Sequence, residues 1–153
     1  MKKIFKILLL SISFSVSAQT LTLDAALPKL QLNDQHDQVV TTSQDLQMIL
    51  FAGEKGTSEL MTKVLEGLPP STLKDKKAIY IADISGMPGF ITKMVALPRM
   101  QKLPYQIGLI RDAKDAEWLP KKSQHVTAIK IQQGKIVAID YLIDANQINQ
   151  LLK

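Results

Sequence analysis

The chain has 153 residues, 46% of them hydrophobic and 22% charged, with a formal net charge of +5. That length suits one ordinary domain with a real core, and the mix is neither collagen-like, low-complexity nor that of a disordered chain. The chain contains no cysteine, which excludes disulfides, thiol redox chemistry, thiolate nucleophiles, Cys-ligated metal centres and a lipid-anchored bacterial lipoprotein.

Residues 1–18 read as a secretory signal peptide. Lys2, Lys3 and Lys6 form a positive n-region, Ile7–Val16 an apolar and serine-rich core, and Val16-Ser17-Ala18 a small-residue cleavage site. The run is short of the roughly 20 residues that span a bilayer, so no stable membrane anchor is expected after cleavage. The expected destination is the periplasm of a Gram-negative bacterium. Removing the leader removes three lysines and most of the net charge. The remaining cations are scattered without interleaved aromatics, so no nucleic-acid partner is expected.

Residues 19–29 are expected to be an exposed lead-in, and 30–153 one domain. Leu30–Leu32 and Val39-Val40 flank Asn33-Asp34 and His36-Asp37, which predicts a β-hairpin. Leu46–Ala52 is a nearly continuous apolar run, as in a central strand covered on both faces. Thr57–Glu66 carries apolar residues at helical spacing, with Gly67 and Pro69-Pro70 to stop it. Lys77–Ile84 predicts a second strand, and Ser85-Gly86 a turn. From Pro88 onward, Phe90, Ile91, Met94, Val95 and Leu97 predict a core-facing helix ended by Pro98 and Pro104. Tyr105–Ile110 predicts a third strand, and Arg111–Gln124 a loop or short helix. Val126–Ile131 and Lys135–Ile143 predict a hairpin about Gln132-Gln133-Gly134. Asp144 is placed to cap a last helix, with Gln147 three residues on. Alternating strands and helices imply a parallel sheet core with right-handed crossovers, and the C-terminal hairpin adds an antiparallel pair.

Three stretches resemble the thioredoxin-like superfamily in its extended, peroxiredoxin-like form: Leu30–Val40, Met48–Met61 and His125–Leu152. Tyr105–Asp112 resembles the strand before that form's long loop. The resemblance implies an α/β three-layer sandwich, a mixed central sheet with an N-terminal β-hairpin and flanking helices. Redox-active members carry a Cys pair where a strand hands over to a helix. The matching places lie near Gly56 and Glu59, and neither is a thiol. Their proline before the hairpin strand is also missing at Gln124-His125. The resemblance therefore implies a redox-silent domain.

Four chemistries can be weighed on the residues. Ser85 follows a strand and precedes a helix, and with His125 and Asp112 could form a hydrolytic triad. Asp83 and Met87 hold the glycine positions of a nucleophile elbow, however, so helix capping by Ser85 is the favoured reading. Met87, Met94 and Met100 could offer soft ligands to Cu(I), with His36 and His125 as imidazoles far apart in sequence, although Met94 shares a helical face with core-type residues. Gly53–Ser58 lacks phosphate-loop spacing. It enters a helix N-terminus, where weak anion binding is reasonable, and Thr57 or Ser58 is expected as the cap. Asp83 ends a parallel strand, where open α/β sheets place ligands.

The favoured expectation is a non-enzymatic module that binds a protein partner or a small ligand, with no catalytic residue, cofactor or metal assigned. Its edge would comprise Glu54, Lys55, Gly56, Thr57, Ser58, Asp83, Ser85, Gln124 and His125, which the resemblance brings together. The alternatives are a thiol-independent enzyme at that edge and a Met/His copper-binding protein.

Overall fold

The computed structural model describes residues 20–153; the expected leader lies outside the described residues. Seven strands form one mixed sheet: β1 (Gln31–Asn33), β2 (Val39–Thr41), β3 (Met48–Ala52), β4 (Ala78–Asp83), β5 (Ile107–Ile110), β6 (Val126–Gln132) and β7 (Lys135–Leu142). Their spatial order is β2-β1-β5-β4-β3-β6-β7. β3, β4 and β5 run parallel. β6 lies antiparallel to β3, β7 to β6, and the β1–β2 hairpin to β5.

The apolar run of β3 is buried at all five residues, as its composition requires of a central strand. Side-chain alternation divides it between two cores. Met48, Leu50 and Ala52 face one cluster, and Ile49 and Phe51 the other. The first cluster lies under α1 (Lys55–Glu66) and α4 (Ala145–Leu152), through Met61, Val64, Leu65, Ile148 and Leu152. The second is covered by Leu21, Leu30, Ala116 and Leu119. These are the three expected layers, with irregular chain rather than long helix forming one of them.

Several local expectations hold. Gly67 is the C-cap of α1. Asp144 Oδ1 accepts from Gln147 N at 2.9 Å, and Gln147 Oε1 accepts from Ile143 N at 2.8 Å. The β6–β7 turn has two residues, Gln133 at φ 51° and Gly134 at φ 73°, the paired left-handed conformation of the turns that suit strand twist. A short helix, α2 (Thr72–Asp75), has no counterpart in the sequence reading.

Two expectations need correction, and a third gains detail. Residues 20–29 are mostly exposed and are held down at several points. Leu21 is buried and its N–H donates to Trp118 O at 2.8 Å; Asp24 N and Leu27 N donate to Ile136 O and Gly134 O at 2.9 and 2.8 Å. The segment is a strap over the second core and the start of β7. The cap of α1 is Glu54, not Thr57 or Ser58, because the helix begins at Lys55. Pro98 does not end its helix. Gly89–Ile91, Thr92–Ala96 and Leu97–Met100 follow one another as a single helical segment, α3. Its middle is widened to π geometry, with Leu97 N donating to Thr92 O. The wide turn lets a residue without an N–H sit inside the segment.

The β1–β2 turn carries two buried polar side chains, Asp34 and Gln35. Asp34 Oδ1 accepts from His36 N and Gln38 N at 2.7 and 2.9 Å, and its Oδ2 accepts from Gln106 Nε2 at 2.9 Å. Burial pulls the Asp34 carboxyl upward, but the donors at Gln106, Gln38 and His36 outweigh it and hold the group below its ordinary value. A carboxyl with a depressed folded pKa adds stability above its unfolded value, near ~3.9, and that stability is lost as pH falls through the folded pKa. Asp34→Asn should therefore cost about 1–2 kcal/mol at neutral pH. Its deficit should shrink as melting is followed below about pH 4. A constant gap between variant and parent would show that the carboxylate charge is unimportant there.

Candidate binding groove

A groove of about 1560 Å³ runs between α1 and α3 and over the carboxyl ends of β3 and β4. Its apolar lining includes Met87, Ile91, Val95, Met100 and Leu103. Its walls hold charges of both signs, including Glu59, Lys63 and Glu66 from α1 and Arg99 and Lys102 opposite. Five of the nine expected edge residues line it: Glu54, Lys55, Ser58, Asp83 and Ser85. The other four do not. Gly56 is exposed on the first turn of α1, with open space where a Cβ would stand. Thr57 is buried, its Oγ1 donating to Glu54 O at 2.8 Å and accepting from Glu54 N at 3.1 Å. Gln124, at φ 62°, is held through its N–H by Glu54 Oε2 at 3.1 Å. His125 is half-buried, with Nδ1 2.6 Å from Ser123 O.

These contacts decide between the chemistries. Ser85 Oγ donates to Asp83 Oδ1 at 2.6 Å, and Ser85 N donates to the same oxygen at 2.9 Å. The pair forms a closed turn of the kind Asp favours. Ser85 caps no helix, because α3 starts after Pro88. The Ser85 hydroxyl is committed to a carboxylate and His125 is bonded to Ser123 O, so the serine–imidazole pair of the expected triad is not formed. Asp112, the third member of the expected triad, accepts from Lys114 N at 3.1 Å at the start of a short 3₁₀ turn. Burial pushes the Tyr80 phenol far above its usual range, opposed only in part by a hydrogen bond with Ser58, so it stays protonated beneath the groove.

The anion reading of Gly53–Ser58 also weakens. The Glu54 carboxylate stands at the positive end of α1 and supplies the negative charge a helix N-terminus attracts. Among the described residues no three His, Asp or Glu side chains gather as a metal site. Met87 and Met100 line the groove, but Met94 is 76% exposed on the outer side of α3. The core-filling account of Met94 is therefore overturned, as it is for Phe90, 68% exposed. No residue of α3 is buried. Helical spacing shows that these residues share a face, not what the face meets, and this is why sequence reasoning missed α3 as a groove wall. A second cavity, of about 630 Å³ beside Trp118 and the strap, holds none of the expected residues.

No family model matches the chain, and no curated protein matches it. Solved structures do. A candidate protein disulfide isomerase from Bacteroides thetaiotaomicron is 15% identical, with a TM-score of 0.58 and 86% of each chain covered. A candidate thioredoxin from Neisseria meningitidis has the same identity and TM-score, over 86% of this chain and 89% of its own. A peroxiredoxin-like protein from Aquifex aeolicus is 9% identical, with a TM-score of 0.52, over 87% of this chain and 86% of its own. At these identities the likeness establishes the fold, and function has to be argued from the site.

Proposed function

We propose that this thioredoxin-like fold without cysteine is a non-enzymatic binding module, and that its ligand is an extended peptide segment of a protein partner held between α1 and α3. The observation that carries this reading is the size and lining of the groove. Sites for small molecules occupy roughly 300–1,000 Å³, and a volume of about 1560 Å³ exceeds that. An apolar lining interspersed with charges of both signs suits side chains alternating with a polar backbone better than it suits one metabolite. The closed Asp83–Ser85 pair and the missing thiols support binding over catalysis. A periplasmic address belongs to the same proposal and rests on the composition of residues 1–18. No helix among the described residues is long and apolar enough to cross a membrane.

The test is a thermal-shift screen against peptide pools, metabolites and metals, followed by titration of any hit. A ligand at about 100 times its dissociation constant adds roughly 2.7 kcal/mol. The expected hit is a peptide whose binding Ile91→Glu weakens at least tenfold while His125→Ala, off the lining, leaves it unchanged. Saturable binding indifferent to Ile91 and Lys55 would refute the groove. A metabolite as the only hit would refute the peptide.

A further inference from the structure

The outer face of α3 adjoins the groove, and Arg99 and Lys102 belong to the groove lining as well. Phe90 and Met94 stand one helical turn apart, 68% and 76% exposed, and neither lines the groove. Soluble surfaces carry single apolar side chains freely, but adjacent large ones on a helix with no buried residue mark a contact surface. The charge along this stretch of the sequence has one sign. Between Asp83 and Asp112 the sequence has no acidic residue and four basic ones: Lys93, Arg99, Lys102 and Arg111. Arg111 is paired with Asp37 at 2.8 Å. The other three are exposed and, among the described residues, make no ion pair.

We infer that α3 docks the protein on an anionic lipid surface, with Phe90 and Met94 entering the headgroup boundary, Lys93 between them in sequence facing the lipid phosphates, and the groove-lining Arg99 and Lys102 adding to the positive field. A helix with exposed apolar side chains and nearby cations in sequence has the features of an interfacial helix, and an anionic surface is the complement to its charge. A second copy would set one cationic rim against another, which disfavours self-association here. An extended peptide has the concave groove beside it. With two large side chains inserted, docking should be weak, reversible and salt-sensitive.

Because the chain contains no cysteine, one introduced thiol carries a unique label. The chain from Gln19 onward holds the whole sheet and both cores, and using it removes the apolar leader from the assay. Met94→Cys bearing an environment-sensitive dye should shift to the blue on vesicles of phosphatidylcholine with about one-third phosphatidylglycerol, and not on phosphatidylcholine alone. The same dye at Val137→Cys, an exposed site on β7, should not shift. Lys93→Gln, off the groove lining, should weaken vesicle co-sedimentation roughly fivefold. Phe90→Ala should weaken it further while leaving melting unchanged. Equal binding to neutral vesicles, a shift at Val137 but not at Met94, or indifference to Phe90 would each overturn the proposal. Capture of an acidic, apolar peptide by this face without any vesicle binding would assign it to a protein partner instead.

Discussion

Replacing Phe51 with alanine should lower stability by about 4 kcal/mol, the usual cost of removing an aromatic side chain from a core that cannot collapse. Phe51 is fully buried at the centre of the sheet, between Ile81 on β4 and Thr127 on β6. Its ring lies close enough to Gly53 that a Cβ there would meet it at 3.2 Å. Strands pair on both sides, so the backbone cannot move in to fill the cavity. Domains are stable by only about 5–15 kcal/mol, and one such change removes a large share. Urea unfolding should show a lower midpoint with an unchanged slope. Phe90→Ala is the internal control and should stay within about 0.5 kcal/mol, as exposed substitutions do. A Phe51 cost below about 1 kcal/mol would mean that the second core is loosely packed.

Gln35→Ala should cost about 3 kcal/mol despite removing a polar side chain. Gln35 is 2% exposed. Its Nε2 donates to Tyr105 O at 2.7 Å, and its Oε1 accepts from Ile107 N at 2.9 Å. It takes the place of a β-strand neighbour where β5 begins. Truncation strands a carbonyl and an N–H in a dry site, and each unsatisfied group costs roughly 1–3 kcal/mol. Gln35→Glu should be no better, because a carboxylate cannot donate to Tyr105 O. Hydrogen exchange at Ile107 N–H gives the local readout: strong protection in the parent, lost in Gln35→Ala. Retained protection would mean that another group satisfies that amide.

What the sequence revealed, and what it hid, follows from the range of each signal. The apolar runs of β3, β4 and β6, the turn at Gln133-Gly134 and the Asp144 cap are local or rest on burial from both sides, and each was legible. The Asp83–Ser85 turn is half legible: the position of Ser85 predicts a cap, but its partner is the aspartate two residues earlier rather than a helix backbone. The exposure of Phe90 and Met94 was not legible, because an amphipathic helix over a core and one presenting its apolar stripe outward have the same periodicity. Gln35 gave no signal either, since its partners lie about 70 residues away. Of the nine edge residues, five line the groove, all after the carboxyl ends of β3 and β4 or at them, whereas the spacing in α3, its opposite wall, predicts an interior helix.

The position of β6 has a consequence for how the chain is made. β3 has β4 on one side and β6 on the other, yet β6 begins 74 residues after β3 ends. A chain emerging from its amino end can assemble β1 to β5 while Met48–Ala52, apolar on both faces, is still an open edge. Open apolar edges pair readily with other chains, and contacts this distant in sequence form slowly. The strap at 20–29 closes later still, because its partners are Trp118, Gly134 and Ile136. The fold cannot finish before its last hairpin arrives, so a chain truncated ahead of Val126 should be an aggregating fragment rather than a smaller domain.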